Sequence, residues 1–91
     1  MGDKRSRFEI FVAILKVAST GANMTKIVYG ANINFKMAQF YIEYLLERDF
    51  LALTSKNGKK IYTTTDRGRE FVKKIQRTGR HGRVNLSFWI Q

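Results

Sequence analysis

A chain of 91 residues makes one domain with one modest core, because at this size a little over roughly 60% of the unfolded surface is buried. Seventeen Lys and Arg against seven Asp and Glu give a net charge of +10 and a pI near 10.3, an excess that predicts an anionic partner, most often nucleic acid. Disulfides and thiolate metal sites are excluded by the absence of cysteine, and a membrane helix by the lack of any apolar run near the roughly 18 residues a span requires.

The N-terminal stretch MGDKRSRFEIF has no long apolar h-region, so a secretory signal is not expected and the expectation is a soluble intracellular protein. Residues 7–18 place Phe8, Phe11, Val12, Ile14, Leu15 and Ala18 at spacings of three and four, which predicts a helix with a wide buried stripe, ended by Gly21. Residues 25–31 predict a short second helix with Thr25 as N-cap and with Ile27 and Val28 toward the core. Asn34 then caps a third helix, FKMAQFYIEYLLER. Ala38, Tyr41, Ile42 and Leu45 form its buried stripe. Lys36, Gln39, Phe40 and Glu43 repeat the same spacing on another face, a mixture of base, amide, aromatic and acid that no core selects.

Next comes a hairpin signal. Asn57-Gly58 suits a type I′ turn, which needs positive φ at both central residues. That turn sets Lys56 opposite Lys59, Leu53 opposite Tyr62 and Leu51 opposite Thr64, so Leu51, Leu53 and Tyr62 share a face expected to pack on the helices. TTDRGREFVKKIQRT predicts a fourth helix, capped by Thr65 or Asp66, with Phe71, Val72 and Ile75 as its apolar face and Gly79 as its stop. Gly58 and Gly68 are both read as turn residues. In the tail RHGRVNLSFWIQ, Val84, Leu86, Phe88 and Ile90 alternate with polar residues, as in a strand, although Trp89 breaks the alternation and leaves a helical turn open. The organisation is therefore a domain over residues 1–78 and a basic, apolar tail over residues 79–91, a candidate dimerisation strand. No internal repeat is present.

The order helix, helix, helix, hairpin, helix is an α+β plan: a three-helix core, a two-stranded wing, a C-terminal fourth helix and a short apolar tail. FEIFVAIL, TKIVYGANIN, YIEYL and YTTTDRGREF resemble successive blocks of the archaeal winged helix-turn-helix DNA-binding family, in particular the small basic Sulfolobus chromosomal proteins. The resemblance spans residues 7–76. It is sharpest in YGANIN ahead of YIEYL and in YTTTDRGREF, where the family typically has Tyr-x-Leu-Thr-x-Lys-Gly and this chain has Thr64 and Arg67. In the family the fourth helix continues into a long antiparallel coiled coil that forms the dimer. Here Gly79 and Gly82 interrupt that stretch and no heptads follow.

The resemblance implies that the third helix enters the major groove of double-stranded DNA. There Lys36 suits guanine O6/N7, Gln39 suits adenine N6/N7 and Phe40 a thymine methyl, with Asn34 at the head of the helix. Glu43, farther down the helix, suits cytosine N4 or repels wrong registers. The plainer alternatives are that Phe40 caps the core and that Glu43 pairs with Arg48 or a nearby lysine. Lys4, Arg5 and Arg7 before the first helix, and Thr25 and Lys26 at the second, are expected on phosphates, and Lys56, Asn57, Lys59 and Lys60 of the hairpin on the backbone or in the minor groove. The bland reading of those lysines is a solvated turn. Tyr29, Tyr41 and Tyr44 are read as core edge rather than as platforms for unpaired bases. His81, the lone histidine, has no second ligand for a metal, and no acid–base pair, activated nucleophile or phosphate loop suggests an enzyme or a cofactor.

The function expected is a transcriptional regulator that binds duplex DNA as a homodimer in the cytoplasm, associated with the nucleoid. An architectural chromosomal protein with little base preference is the alternative, and a protein-interaction module is the alternative from another class. RNA fits less well, since A-form duplexes deny a helix the major groove.

Overall fold

A computed structural model describes the backbone of residues 5–79 and the side chains of residues 5–75. The expectations for the tail beyond residue 79 lie outside these residues. Helix α1 (Arg7–Val17) starts at Ser6, whose hydroxyl accepts the Glu9 N–H at 3.2 Å while the Glu9 carboxylate accepts the Ser6 N–H at 2.8 Å. This reciprocal capping box, Ser-x-x-Glu, satisfies two otherwise orphaned donors. A 3-10 turn over Ala18–Thr20 closes the helix at Gly21, whose φ of 98° is costly for any residue with a side chain.

The cap of helix α2 (Met24–Ala31) lies two residues earlier than expected. Asn23, not Thr25, is its cap: the Asn23 side chain accepts the Lys26 N–H at 2.9 Å. Helix α3 (Phe35–Glu47) begins at Asn34, as predicted, with the Met37 N–H donated to the Asn34 side chain at 2.7 Å. Strands β1 (Leu51–Lys56) and β2 (Lys59–Thr64) form an antiparallel hairpin in the predicted register, and helix α4 (Asp66–Gly79) follows. Thr65 caps α4 by accepting the Gly68 N–H at 3.0 Å, while its own hydroxyl donates to the Asp49 carbonyl at 2.7 Å.

A single residue adds a third partner to the sheet. Ala22 exchanges two backbone hydrogen bonds with Tyr62, at 2.9 and 2.8 Å. Tyr62 is thereby central, with Ala22 on one side and Leu53 on the other, and it is buried. Leu53 stands on the outer strand and is 46% exposed, so it does not join the packed face with Leu51 and Tyr62 as expected.

The core gathers Phe11, Ile14 and Leu15 of α1, Ile27 of α2, Ile42 and Leu45 of α3 and Leu51 of β1, all essentially removed from water. Each such side chain contributes about 1.5–3 kcal/mol of transfer free energy. Phe11 lies flat against Tyr44 and edge-on to Tyr41, with ring centroids 5.2 Å apart in both pairs. Tyr41 and Tyr44 are thus the half-buried core edge that the periodicity implied. Tyr29 is not: it is 79% exposed, turned away from the buried Ile27 and Ala31 of the same helix.

Two glycines mark close approaches. Gly68 is not a turn residue; it lies buried in the first turn of α4, where an added Cβ would run into the Phe50 carbonyl oxygen and come within 2.7 Å of Thr64 Cγ2. Phe50 and Phe71 stack beside it, with centroids 5.0 Å apart. At Gly30 an added Cβ would stand 2.8 Å from Val17 Cγ2, which is where α2 crosses α1.

Candidate nucleic-acid interface

The direction of α3 is fixed by three residues, Asn32, Ile33 and Asn34, between it and α2. Asn32 adopts the left-handed conformation, φ 57° and ψ 55°, and its N–H donates to the Tyr29 carbonyl at 3.3 Å. The Ile33 N–H donates to the Val28 carbonyl at 3.1 Å. These paired bonds are a Schellman ending, in which the residue after the left-handed one turns back onto the helix. Ile33 does so as a buried side chain, and Asn34 opens α3 immediately afterwards.

Lys36, Gln39, Phe40 and Glu43 are all exposed along one side of α3, while Ala38, Ile42 and Leu45 are buried on the other. Phe40 does not cap the core: it is 61% exposed, its ring edge-on to Tyr41 at 5.3 Å. Arg48, the partner considered for Glu43, stacks over the Tyr44 ring with its guanidinium carbon 3.8 Å from the centroid. That is cation–π distance.

The wing stands beside this helix. Asn57 and Gly58 have φ of 53° and 76°, the positive pair a type I′ turn demands, and Lys56, Asn57, Lys59 and Lys60 are exposed. Between wing and helices runs an open groove of about 410 Å³ lined by Asn23, Met24 and Thr25 of the α2 start, Phe35 and Gln39 of α3, and Lys59, Lys60 and Tyr62 of β2. It brings together Thr25, Gln39, Lys59 and Lys60, four residues selected from separate stretches of sequence. Lys26 is exposed in the first turn of α2, with its own N–H engaged by Asn23.

Of the two described arginines before or at the start of α1, Arg7 is exposed, whereas Arg5 is turned inward. The Arg5 guanidinium donates to the Ala31 carbonyl at 2.7 Å and the Asn32 carbonyl at 2.8 Å. Lys4 lies outside the described residues. Sequence reasoning passed over Asn23, Met24 and Phe35. Phe35, 56% exposed, precedes Gln39 by four residues, so extending the outward stripe back one turn finds it. Asn23 carries the stronger N-cap signal, because Asn outranks Thr as a cap, and it stands two residues before Thr25.

The winged helix-turn-helix family matches residues 4–81. The chain belongs to that family. Among relatives of this winged helix, two uncharacterised proteins of Methanocaldococcus jannaschii are 36% identical over 74 residues and 31% identical over 68 residues. The first alignment covers 80% of this chain and 33% of the relative, and the second 67% and 70%. The chain thus spans only a third of the length of the first. Among solved structures, Sso10a-2, a DNA-binding protein from Sulfolobus solfataricus, superposes with a TM-score of 0.79 at 30% identity, over 84% of this chain and 80% of that one. The likeness to the basic Sulfolobus proteins is borne out. Sco5413, a MarR family transcriptional regulator from Streptomyces coelicolor, shares the fold with a TM-score of 0.66 at 23% identity, over 79% of this chain and 53% of that one. In the terms of the family, α3 occupies the recognition-helix position and β1–β2 the wing. No helix among the described residues is long and apolar enough to cross a membrane.

Proposed function

We propose that this winged helix binds double-stranded DNA as a transcriptional regulator, with α3 in the major groove and the wing on the phosphate backbone. The observation that carries the reading is the exposed stripe of Lys36, Gln39, Phe40 and Glu43 on α3, from which Gln39 faces Lys59 and Lys60 of β2 across one groove. Lys36 donates to guanine O6/N7, Gln39 pairs with adenine N6/N7, and Phe40 meets a thymine methyl. Thr25, Lys26 and Arg7 supply further backbone contacts, with Lys56, Lys59 and Lys60 as the wing's share. The similarity to a DNA-binding protein at 30% identity supports the same partner.

Two copies reading half-sites about one helical turn apart give such a small domain useful specificity. The alternation of Val84, Leu86, Phe88 and Ile90 supports self-association through residues 79–91. A second reading, an architectural protein with little base preference, is favoured by the contrast between a net charge of +10 and the few side chains in the α3 stripe, Lys36, Gln39 and Glu43, suited to base hydrogen bonds. Selection of bound duplexes from a random pool at two salt concentrations decides. A regulator yields a recurrent motif with spaced half-sites, an architectural protein yields salt-dependent retention without a motif, and no salt-dependent retention removes DNA as the partner.

A further inference from the structure

The α2–α3 turn has carbonyls to satisfy, because helix ends present carbonyls with no partner inside the helix. At the end of α2 the Schellman bonds use the Val28 and Tyr29 carbonyls. The carbonyls of Ala31 and Asn32 point onward, and both are taken by the Arg5 guanidinium, at 2.7 and 2.8 Å. Arg5 reaches them from 26 and 27 residues away in sequence, from the residue before the Ser6 cap of α1. A planar, permanently charged fork suits two adjacent carbonyls, and a cation at a helix C-terminus is favoured by the helix dipole as well.

We propose that Arg5 is a positioning residue for recognition: it locks the three-residue turn that aims α3, and takes no phosphate itself. The lever is short. Ala31 ends α2, Asn32 is the left-handed residue, and Asn34 already caps α3, so a rotation allowed at Ala31 or Asn32 is delivered directly to Lys36 and Gln39. The capping box at Ser6 holds the other end, because it fixes where the chain enters α1 and therefore where Arg5 starts. One anchor on α1 thus sets the pitch of the outward stripe on α3.

The inference rests on the DNA-binding reading, and two measurements keep the two apart. The first is the ratio of affinities for the selected and a random duplex, together with the salt slope, for the full chain and for Arg5→Ala and Arg5→Lys. Arg5→Ala is expected to lower the ratio about tenfold, as removal of one well-aligned base contact does, with the salt slope unchanged. Arg5→Lys keeps the charge but not the fork, and is expected to fall between the two. A phosphate contact predicts the opposite pattern: Arg5→Ala lowers the slope by about 0.9 on every duplex, with the ratio unchanged, and Arg5→Lys restores it. That pattern would overturn the proposal. The second measurement is amide hydrogen exchange at Asn32 and Ile33 in the free protein. Exchange faster in Arg5→Ala, with the α1 and α3 core amides unmoved, supports the clamp; unchanged exchange at both positions overturns it. Should the unsubstituted chain fail to bind duplex, the DNA reading falls and the exchange experiment still decides the clamp.

Discussion

Lys56 and Lys59 face each other directly across the hairpin, at the last paired position before the Asn57-Gly58 turn. Lys60 follows opposite Ser55. Like charges at directly opposed positions destabilise a hairpin, and a bare turn has no need of them. Against a row of phosphates the same arrangement becomes favourable, because each ammonium gains a counter-charge and the duplex releases the cations that had screened it.

Replacing Lys56, Lys59 and Lys60 together by alanine is therefore expected to weaken binding to every duplex alike. The slope of log affinity against log salt should flatten by roughly 0.9 for each phosphate no longer neutralised, up to roughly 2.7 if all three lysines engage. Thermal stability of the free protein should hold or rise by a few tenths of a kcal/mol as the repulsion disappears. A slope that matches the unsubstituted chain would remove the wing from the interface.

Substitutions on α3 should separate from those on the wing. Gln39→Ala and Lys36→Ala are each expected to relax preference at one base position by about 1–3 kcal/mol, with affinity for random duplex less affected. Competition binding with single-base variants of the selected site measures this. Uniform losses across all variants would place both side chains on the backbone.

Gly68→Ala sets two effects against each other. Alanine is the better helix former by about 1 kcal/mol. Its Cβ, however, meets the Phe50 carbonyl oxygen, which is backbone and has no rotamer to yield. Overpacking of this kind costs about 1–3 kcal/mol, so net destabilisation is expected, with a lower urea midpoint. An unchanged or raised midpoint would show that α4 shifts at little cost.

Thr64 is buried in β2, and its hydroxyl donates to the Leu15 carbonyl at 2.6 Å, tying the hairpin to the end of α1. Thr64→Val keeps the branched shape and deletes the donor, at an expected cost of about 0.5–1.5 kcal/mol in denaturant unfolding. A neutral result would mean that the hydroxyl adds nothing that packing does not already supply.

Removal of residues 79–91 is expected to give a monomer with weaker affinity for DNA, read by sedimentation and by duplex titration. A full-length chain that stays monomeric at high concentration would contradict self-association through this segment.

What could be read from the sequence follows the range of the forces involved. Asn34 and Asn57-Gly58 act within a few residues, and both the start of α3 and the hairpin register stand as their chemistry dictates. The outward stripe on α3 was legible because 3.6-residue periodicity separates it from Ala38, Ile42 and Leu45. The single-residue pairing of Ala22 with Tyr62 has no periodicity to betray it, and with it went the reason that Tyr62 is covered while Leu53 is not. Arg5 was illegible for a related reason. A basic residue ahead of a helix looks the same whether it meets a phosphate or, 26 residues on, the carbonyl of another helix.

The contact between Gly30 and Val17 makes those two positions a single unit of volume. Val17 meets the missing Gly30 side chain with its own methyls, which a smaller residue removes, whereas no substitution removes the Phe50 carbonyl facing Gly68. A methyl group added at position 30 is therefore open to rescue by subtraction at position 17, and Val17→Ala should act as a second-site suppressor of Gly30→Ala. Among relatives, the two sites are expected to trade size with one another, a bulky residue at one accompanying a small residue at the other.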